Sequence, residues 1–148
     1  MATAERTAEV TWEGNLLEGS GKLSTGSGAL SDLGVTWASR TQSADGRTSP
    51  EELIAAAHSS CYAMALSATL ARGGSPADKL QVTAVCSLDP KEGGGYQITS
   101  SRLSVRGWVN GLDQAGFEEM ARKGEEGCPV SNALRNNLTI EVEATLEA

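Results

Sequence analysis

The chain is short of histidine, of cysteine in usable pairs, of positive charge and of long apolar runs. One histidine in 148 residues, with three cysteines far apart and none at a paired spacing, argues against a metal centre. Lys and Arg number 12 against 19 Asp and Glu, a net charge of −7. Such a surface repels phosphate backbones and anionic lipid, so neither nucleic acid nor a membrane is an expected partner. No uninterrupted apolar run approaches the ~18 residues of a membrane span. The polar start, MATAERTAEV, has no apolar segment of the signal-peptide kind. The expectation is a cytoplasmic protein of one domain, residues 1–148, long enough for a real core. The cytosol keeps thiols reduced, so a disulfide here would be catalytic rather than structural, and an odd count leaves at least one cysteine unpaired.

What is present reads as an α+β pattern: strands, a helix, strands, helices and a last strand. AEVTWEGN alternates as a strand, and LLEGSGKLSTGSGALSDLGVTWAS holds short β-prone pieces between Gly and Ser clusters. Its GSGKLST is not a phosphate loop, because Leu16 stands where the first Gly is needed and Leu23 follows Lys22 in place of Ser or Thr. A long helix opens at Pro50, capped by Thr48 or Ser49 with Glu51 and Glu52 in its first turn, and should stop near Arg72 at Gly73-Gly74. KLQVTAVCSLDP and GYQITSSRLSVRGWV are strands joined across KEGGG. LDQAGFEEMARKGEE is an amphipathic helix ended by Gly127, PVSNAL a short helix, and LTIEVEATL the closing strand.

The long helix carries Cys61 at its centre. Leu53, Ala57, Cys61, Met64 and Ala68 make an apolar stripe, and the opposite side is not charged either. A helix apolar nearly all round should be buried on most sides, and one small domain rarely wraps it alone, which suggests a dimer with two such helices side by side. Cys61 then has two open readings: a small core hydrophobe, or a nucleophile. A thiol with a pKa near 8.5, raised further by burial, is only a few per cent thiolate at neutral pH, so the second reading requires a cation nearby. Cys128, between Gly127 and Pro129, sits at an N-cap where backbone N–H groups favour a thiolate, though Gly-Cys-Pro could equally be a plain helix junction. Cys86 lies on the Val82, Ala84, Cys86, Leu88 face of a strand and reads as packing.

TSPEELIAAAHSSCYAMALS with a downstream GCPVSNAL resembles the OsmC/Ohr family of thiol-dependent hydroperoxide reductases. VTWEGN and LSTGSGAL extend the resemblance over nearly the whole chain, and AAAHSSC is closer to the OsmC branch than to the Ohr branch. The resemblance implies an intertwined homodimer, antiparallel sheets wrapped around two long central helices. It implies Cys61 as the peroxidatic cysteine, Cys128 as the resolving one, Glu51 as the active-site glutamate and Arg40, in ASRTQ, as the active-site arginine, with Arg47 and Lys22 behind it. It implies a hydroperoxide substrate, an external thiol or lipoyl-type dithiol as reductant, and no bound cofactor or metal.

The chemistry is coherent with those residues. Arg40 could favour a Cys61 thiolate and stabilise charge on the separating oxygens. Lowering a thiol pKa by about two units takes roughly 2.7 kcal/mol. Yet Glu51 and Cys61, ten residues apart on one helix, lie about 15 Å apart along its axis and point about 80° apart. The expectation is therefore a composite site, with Arg40 and Glu51 coming from the partner subunit. Two rivals stand beside this reading. One is a Cys-His hydrolase using His58, a helical turn from Cys61. The other is a non-enzymatic dimeric binding protein using an apolar groove.

Overall fold

The computed structural model describes residues 1–147, which form two compact units, Met1–Leu53 and the chain from Ile54 onward.

In the first unit, strands β1 (Ala8–Glu13), β2 (Ser20–Thr25) and β3 (Leu33–Val35) form an antiparallel sheet in that order. Its register sets Val10 opposite Leu23 and Leu23 opposite Leu33. Gly21 leaves room on one face for larger neighbours: a Cβ there would lie 2.8 Å from Val35 Cγ1 and 3.0 Å from Trp12 Cε3. The β-prone reading of GVTWAS holds only as far as Val35. Thr36 caps a short helix, α1 (Trp37–Thr41), through a capping box with Ser39. Helix α2 (Pro50–Arg72) opens here, with Ser49 Oγ accepting the Glu52 N–H at 3.2 Å, and continues into the second unit.

In the second unit, β4 (Ala77–Pro90) and β5 (Tyr96–Val109) form a long antiparallel hairpin. Its tip turns through Gly93, Gly94 and Gly95, whose φ values of +85°, +108° and +82° other residues rarely adopt. Strand β6 (Thr139–Leu146) joins the other edge of β5, and it does so parallel. That corrects the expectation of antiparallel sheets. The link from β5 to β6 holds α3 (Gln114–Glu126) and α4 (Pro129–Leu134), a crossover long enough to return the chain in the same direction.

The core of this unit joins Tyr62, Leu66 and Leu70 of α2 to Leu103, Val105 and Val109 of β5, Phe117 and Ala121 of α3, and Cys128. Each large apolar side chain buried there contributes about 1.5–3 kcal/mol. Tyr62 keeps its hydroxyl satisfied by donating to the Ala121 carbonyl at 3.0 Å. Two glycines permit the close approach. A Cβ at Gly124 would meet Leu66 Cα at 3.0 Å, and one at Gly107 would lie 2.3 Å from Phe117 Cζ. Phe117 is fully buried and has nowhere to move. Gly107→Ala should therefore destabilise the protein by about 1–3 kcal/mol, read as a lower urea midpoint at unchanged slope.

Within this chain α2 is buried along one face. His58, Tyr62, Leu66 and Leu70 are fully buried, whereas Cys61 is half-buried and Met64 is 68 % exposed. The helix is thus covered along one side only. The aromatic Tyr62 and the two leucines supply more volume than the alanine-rich stripe, so that side faces the sheet. By length and composition α2 also meets the measure of a membrane span, contrary to the run-by-run reading, because small hydroxyls interrupt the apolar run without adding charge. The core helix of a soluble protein passes the same test, and 22 % of that span lies buried within this chain.

Candidate active site

Each unit holds one group of the expected residues. In the first, Arg40 closes α1 and Glu51 opens α2. Arg40 Nη2 lies 2.8 Å from Glu51 Oε1, and Arg40 Nε lies 3.0 and 3.3 Å from the two carboxylate oxygens. Such a charge-assisted fork fixes the guanidinium plane. Glu51 is buried while Arg40 remains about a third exposed, and its guanidinium stands over the Trp37 ring at 5.9 Å. Arg40 also borders a cavity of about 260 Å³ lined by Val10, Trp12, Leu23, Val35 and Trp37. The other cations named from sequence are placed differently. Lys22 is exposed on β2, and Arg47 pairs at 3.4 Å with the exposed Asp45.

In the second unit, Cys128 is the N-cap of α4, as the Gly-Cys-Pro sequence suggested. It is fully buried, and its sulfur accepts the Ser131 N–H at 3.5 Å. Cys61 lies beside it. The Cys128 thiol and the Val130 N–H are its polar neighbours. The first turn of α4 therefore lies against both sulfurs. Burial pushes the Cys61 thiol up, the Val130 N–H pulls it down, and Cys128 adds a smaller upward push; the balance is upward. None of these groups is a cation. Cys61 also borders a cavity of about 350 Å³, with Met64, Ala68, Arg72 and Pro129 along its wall. Cys86 is half-buried on β4, on the face the sequence assigned it.

His58 is fully buried and does not act as a base toward Cys61. Its Nδ1 lies 2.6 Å from Ser101 Oγ and its Nε2 lies 2.7 Å from Ser131 Oγ, so both ring nitrogens are taken. Burial holds its pKa below the ordinary value, against a smaller upward pull from Glu125. The Cys-His hydrolase loses its base by this arrangement. Glu125, nearly buried, has Oε1 2.8 Å from Arg135 Nη2; the contact is an ion pair lying off the N–H line, so it forms no hydrogen bond. Arg135 also donates to Asn132 Oδ1 at 3.0 Å, tying the end of α4 to the end of α3.

Sequence reasoning missed Ser101, Ser131 and the Glu125–Arg135 pair. Ser131 was findable: it is the third residue after an N-cap, the position whose N–H meets the cap side chain. Ser101 was not, because nothing local ties a strand serine to a histidine 43 residues away. Among the described residues no group of three or more His, Cys, Asp or Glu is placed to hold a metal.

The fold and these groups define an α+β thiol protein, with two cysteines in contact at a helix start and an arginine–glutamate fork beside an apolar cavity. The profile of the OsmC-like protein family matches residues 43–143. The chain is 36 % identical to peroxiredoxin OsmC of Escherichia coli K12 over 141 residues, 95 % of this chain and 97 % of that protein. It is 33 % identical to an organic hydroperoxide resistance protein of Xanthomonas axonopodis over 98 residues, 63 % of each chain. Its fold resembles the crystal structure of the organic hydroperoxide resistance protein OhrB of Bacillus subtilis, with a TM-score of 0.75 at 27 % identity, covering 94 % of this chain and 98 % of that one. The chain belongs to the OsmC-like protein family.

Proposed function

We propose that this chain is a thiol-dependent peroxidase. It reduces organic hydroperoxides, and hydrogen peroxide as well, through a Cys61 sulfenic acid and a Cys61–Cys128 disulfide, in defence against oxidative and osmotic stress. The observation that carries the reading is the juxtaposition of Cys61 and Cys128 at the start of α4. The names of the relatives, a peroxiredoxin and organic hydroperoxide resistance proteins, support it.

The working form is a homodimer in which each chain is one domain and the two α2 helices lie together. The open side of α2 supports this, as do the exposed apolar residues Val10, Trp12, Leu16, Leu17 and Met64. The site is composite. Cys61 and Cys128 come from one subunit, and the partner subunit's Arg40, held by Glu51, supplies the cation that Cys61 lacks among its own neighbours. In that pocket the guanidinium favours the Cys61 thiolate, which attacks one peroxide oxygen. The O–O bond breaks, the alkoxide takes a proton and leaves as the alcohol, and Cys61 becomes a sulfenic acid. Cys128 attacks that sulfur, water leaves and the disulfide forms. An external thiol or lipoyl-type dithiol reduces it by exchange. No metal or bound cofactor takes part, and the protein works in the cytoplasm. The apolar wall beside Arg40 suits the alkyl part of an organic hydroperoxide.

Mass spectrometry after one equivalent of an alkyl hydroperoxide tests the cycle. The expected product is a Cys61–Cys128 link, with a mass lower by two hydrogens. A thiol at Cys128 beside a persistent Cys61 sulfenic acid, or beside sulfinic Cys61 when the peroxide is in excess, removes the resolving role from Cys128.

A further inference from the structure

The buried core of the second unit holds a histidine bridging two serines, and the proposed cycle uses none of the three. His58, Ser101 and Ser131 are all fully buried. The ring spans from β5, where Ser101 lies 2.6 Å from Nδ1, to α4, where Ser131 lies 2.7 Å from Nε2. An apolar side chain would fill the same space without desolvating three polar groups, so the bridge has a cost that packing alone does not explain. Ser131 is also the residue whose N–H meets Cys128 Sγ. One serine thus connects an α2 side chain to the cap sulfur of α4, three residues along α2 from Cys61.

We propose that His58 is a positioning residue for the resolving step: through Ser131 it clamps the first turn of α4 to α2 and holds Cys128 Sγ against Cys61. The inference rests on the peroxidase reading above. In the step concerned, Cys61–SOH and Cys128–SH give Cys61–S–S–Cys128 and water. The S–O bond breaks, the S–S bond forms, and the hydroxyl leaves with the Cys128 proton. Attack requires the Cys128 sulfur on the far side of the S–O bond, so a turn of helix free to tilt would miss that line. The clamp acts on the second step and leaves the first step to Cys61 and its cation. A neutral imidazole suits the task, because one nitrogen donates and the other accepts, satisfying one hydroxyl in each sense.

Two substitutions separate the two ends of the bridge. The amide of Gln reaches the place of Nε2, and that of Asn the place of Nδ1. His58→Gln keeps the contact to Ser131, and His58→Asn keeps only that to Ser101. The reduced full-length dimer is mixed with one equivalent of tert-butyl hydroperoxide. Sulfenic acid is trapped with dimedone, and thiols and disulfide are followed by alkylation quench and mass spectrometry. His58→Asn should oxidise Cys61 within about threefold of the wild-type rate but form the disulfide about tenfold more slowly, the scale of one lost buried hydrogen bond. Sulfinic Cys61 should then accumulate with excess peroxide. His58→Gln should restore disulfide formation. Ser131→Ala, which removes one oxygen, should match His58→Asn and covers the case of a His58 variant that does not fold. Disulfide formation at the wild-type rate in both His58→Asn and Ser131→Ala overturns the proposal. So does an equal loss of both steps in Gln and Asn variants alike, which marks a purely structural residue. A wild-type protein that forms neither sulfenic acid nor the disulfide overturns the peroxidase reading itself, and the positioning role with it.

Discussion

Replacing Cys61 by Ser should abolish peroxide turnover, by on the order of 10³-fold or more, the scale on which removing a nucleophile acts. The hydroxyl is almost never ionised at neutral pH and cannot climb the thiol oxidation ladder. The fold should tolerate the change, because Cys61 is half-buried and its neighbours Met64, Ala65 and Ala68 leave a cavity beside it. Turnover of an alkyl hydroperoxide with a dithiol reductant measures the loss, and the urea midpoint checks the fold. Cys61→Ser with even a tenth of wild-type turnover would sink the reading. A non-enzymatic binding protein, by contrast, predicts no turnover in the wild type and ordinary ligand binding in Cys61→Ala.

The second expected result concerns pairs of variants. Arg40→Ala alone should lose about 10²- to 10³-fold, the usual cost of removing one group that stabilises developing charge. Co-expressing Cys61→Ser and Arg40→Ala chains should restore activity. In a mixed dimer one site receives Cys61 from the Arg40→Ala chain and Arg40 from the Cys61→Ser chain, and is whole. The other site lacks both. Random pairing makes half the dimers mixed, each with one of two sites intact, so the mixture should recover about a quarter of wild-type activity. If both residues act within one chain, no combination repairs the site and the mixture stays at the level of its parents. The pH profile of Cys61 alkylation gives a second readout. Burial already holds that thiol above its ordinary value, so without the arginine its reactivity should rise only at alkaline pH.

How far the molecule could be read from its residues depended on the range of the interaction. The bounds of α2 were legible because each signal is local: Thr48 or Ser49 as cap, of which Ser49 serves, Pro50 and two glutamates in the first turn, Gly73-Gly74 at the end. Cys128 as an N-cap was legible for the same reason. The hairpin of β4 and β5 followed from alternation on either side of three glycines. Helix α1 was missed because one short turn after a strand carries no periodicity, only the Thr36–Ser39 capping box. The direction of β6 was missed because alternation is the same in parallel and antiparallel pairs.

The sequence by itself determined the order of the elements other than α1, the two cysteine motifs and the family they resemble, and it named Arg40 and Glu51 together. The tertiary structure decided that Arg40 and Glu51 form a fork, that Cys61 and Cys128 are neighbours, and that His58 spends both nitrogens on serines. It also decided which side of α2 is covered, since Tyr62, Leu66 and Leu70 meet β5 and α3 while the stripe bearing Met64 stays open. The physical reason is the reach of the forces. Caps, turns and periodicity act over a few residues and are written locally. Burial and side-chain pairing depend on which distant surfaces meet, and a helix apolar nearly all round does not state which of its sides that will be.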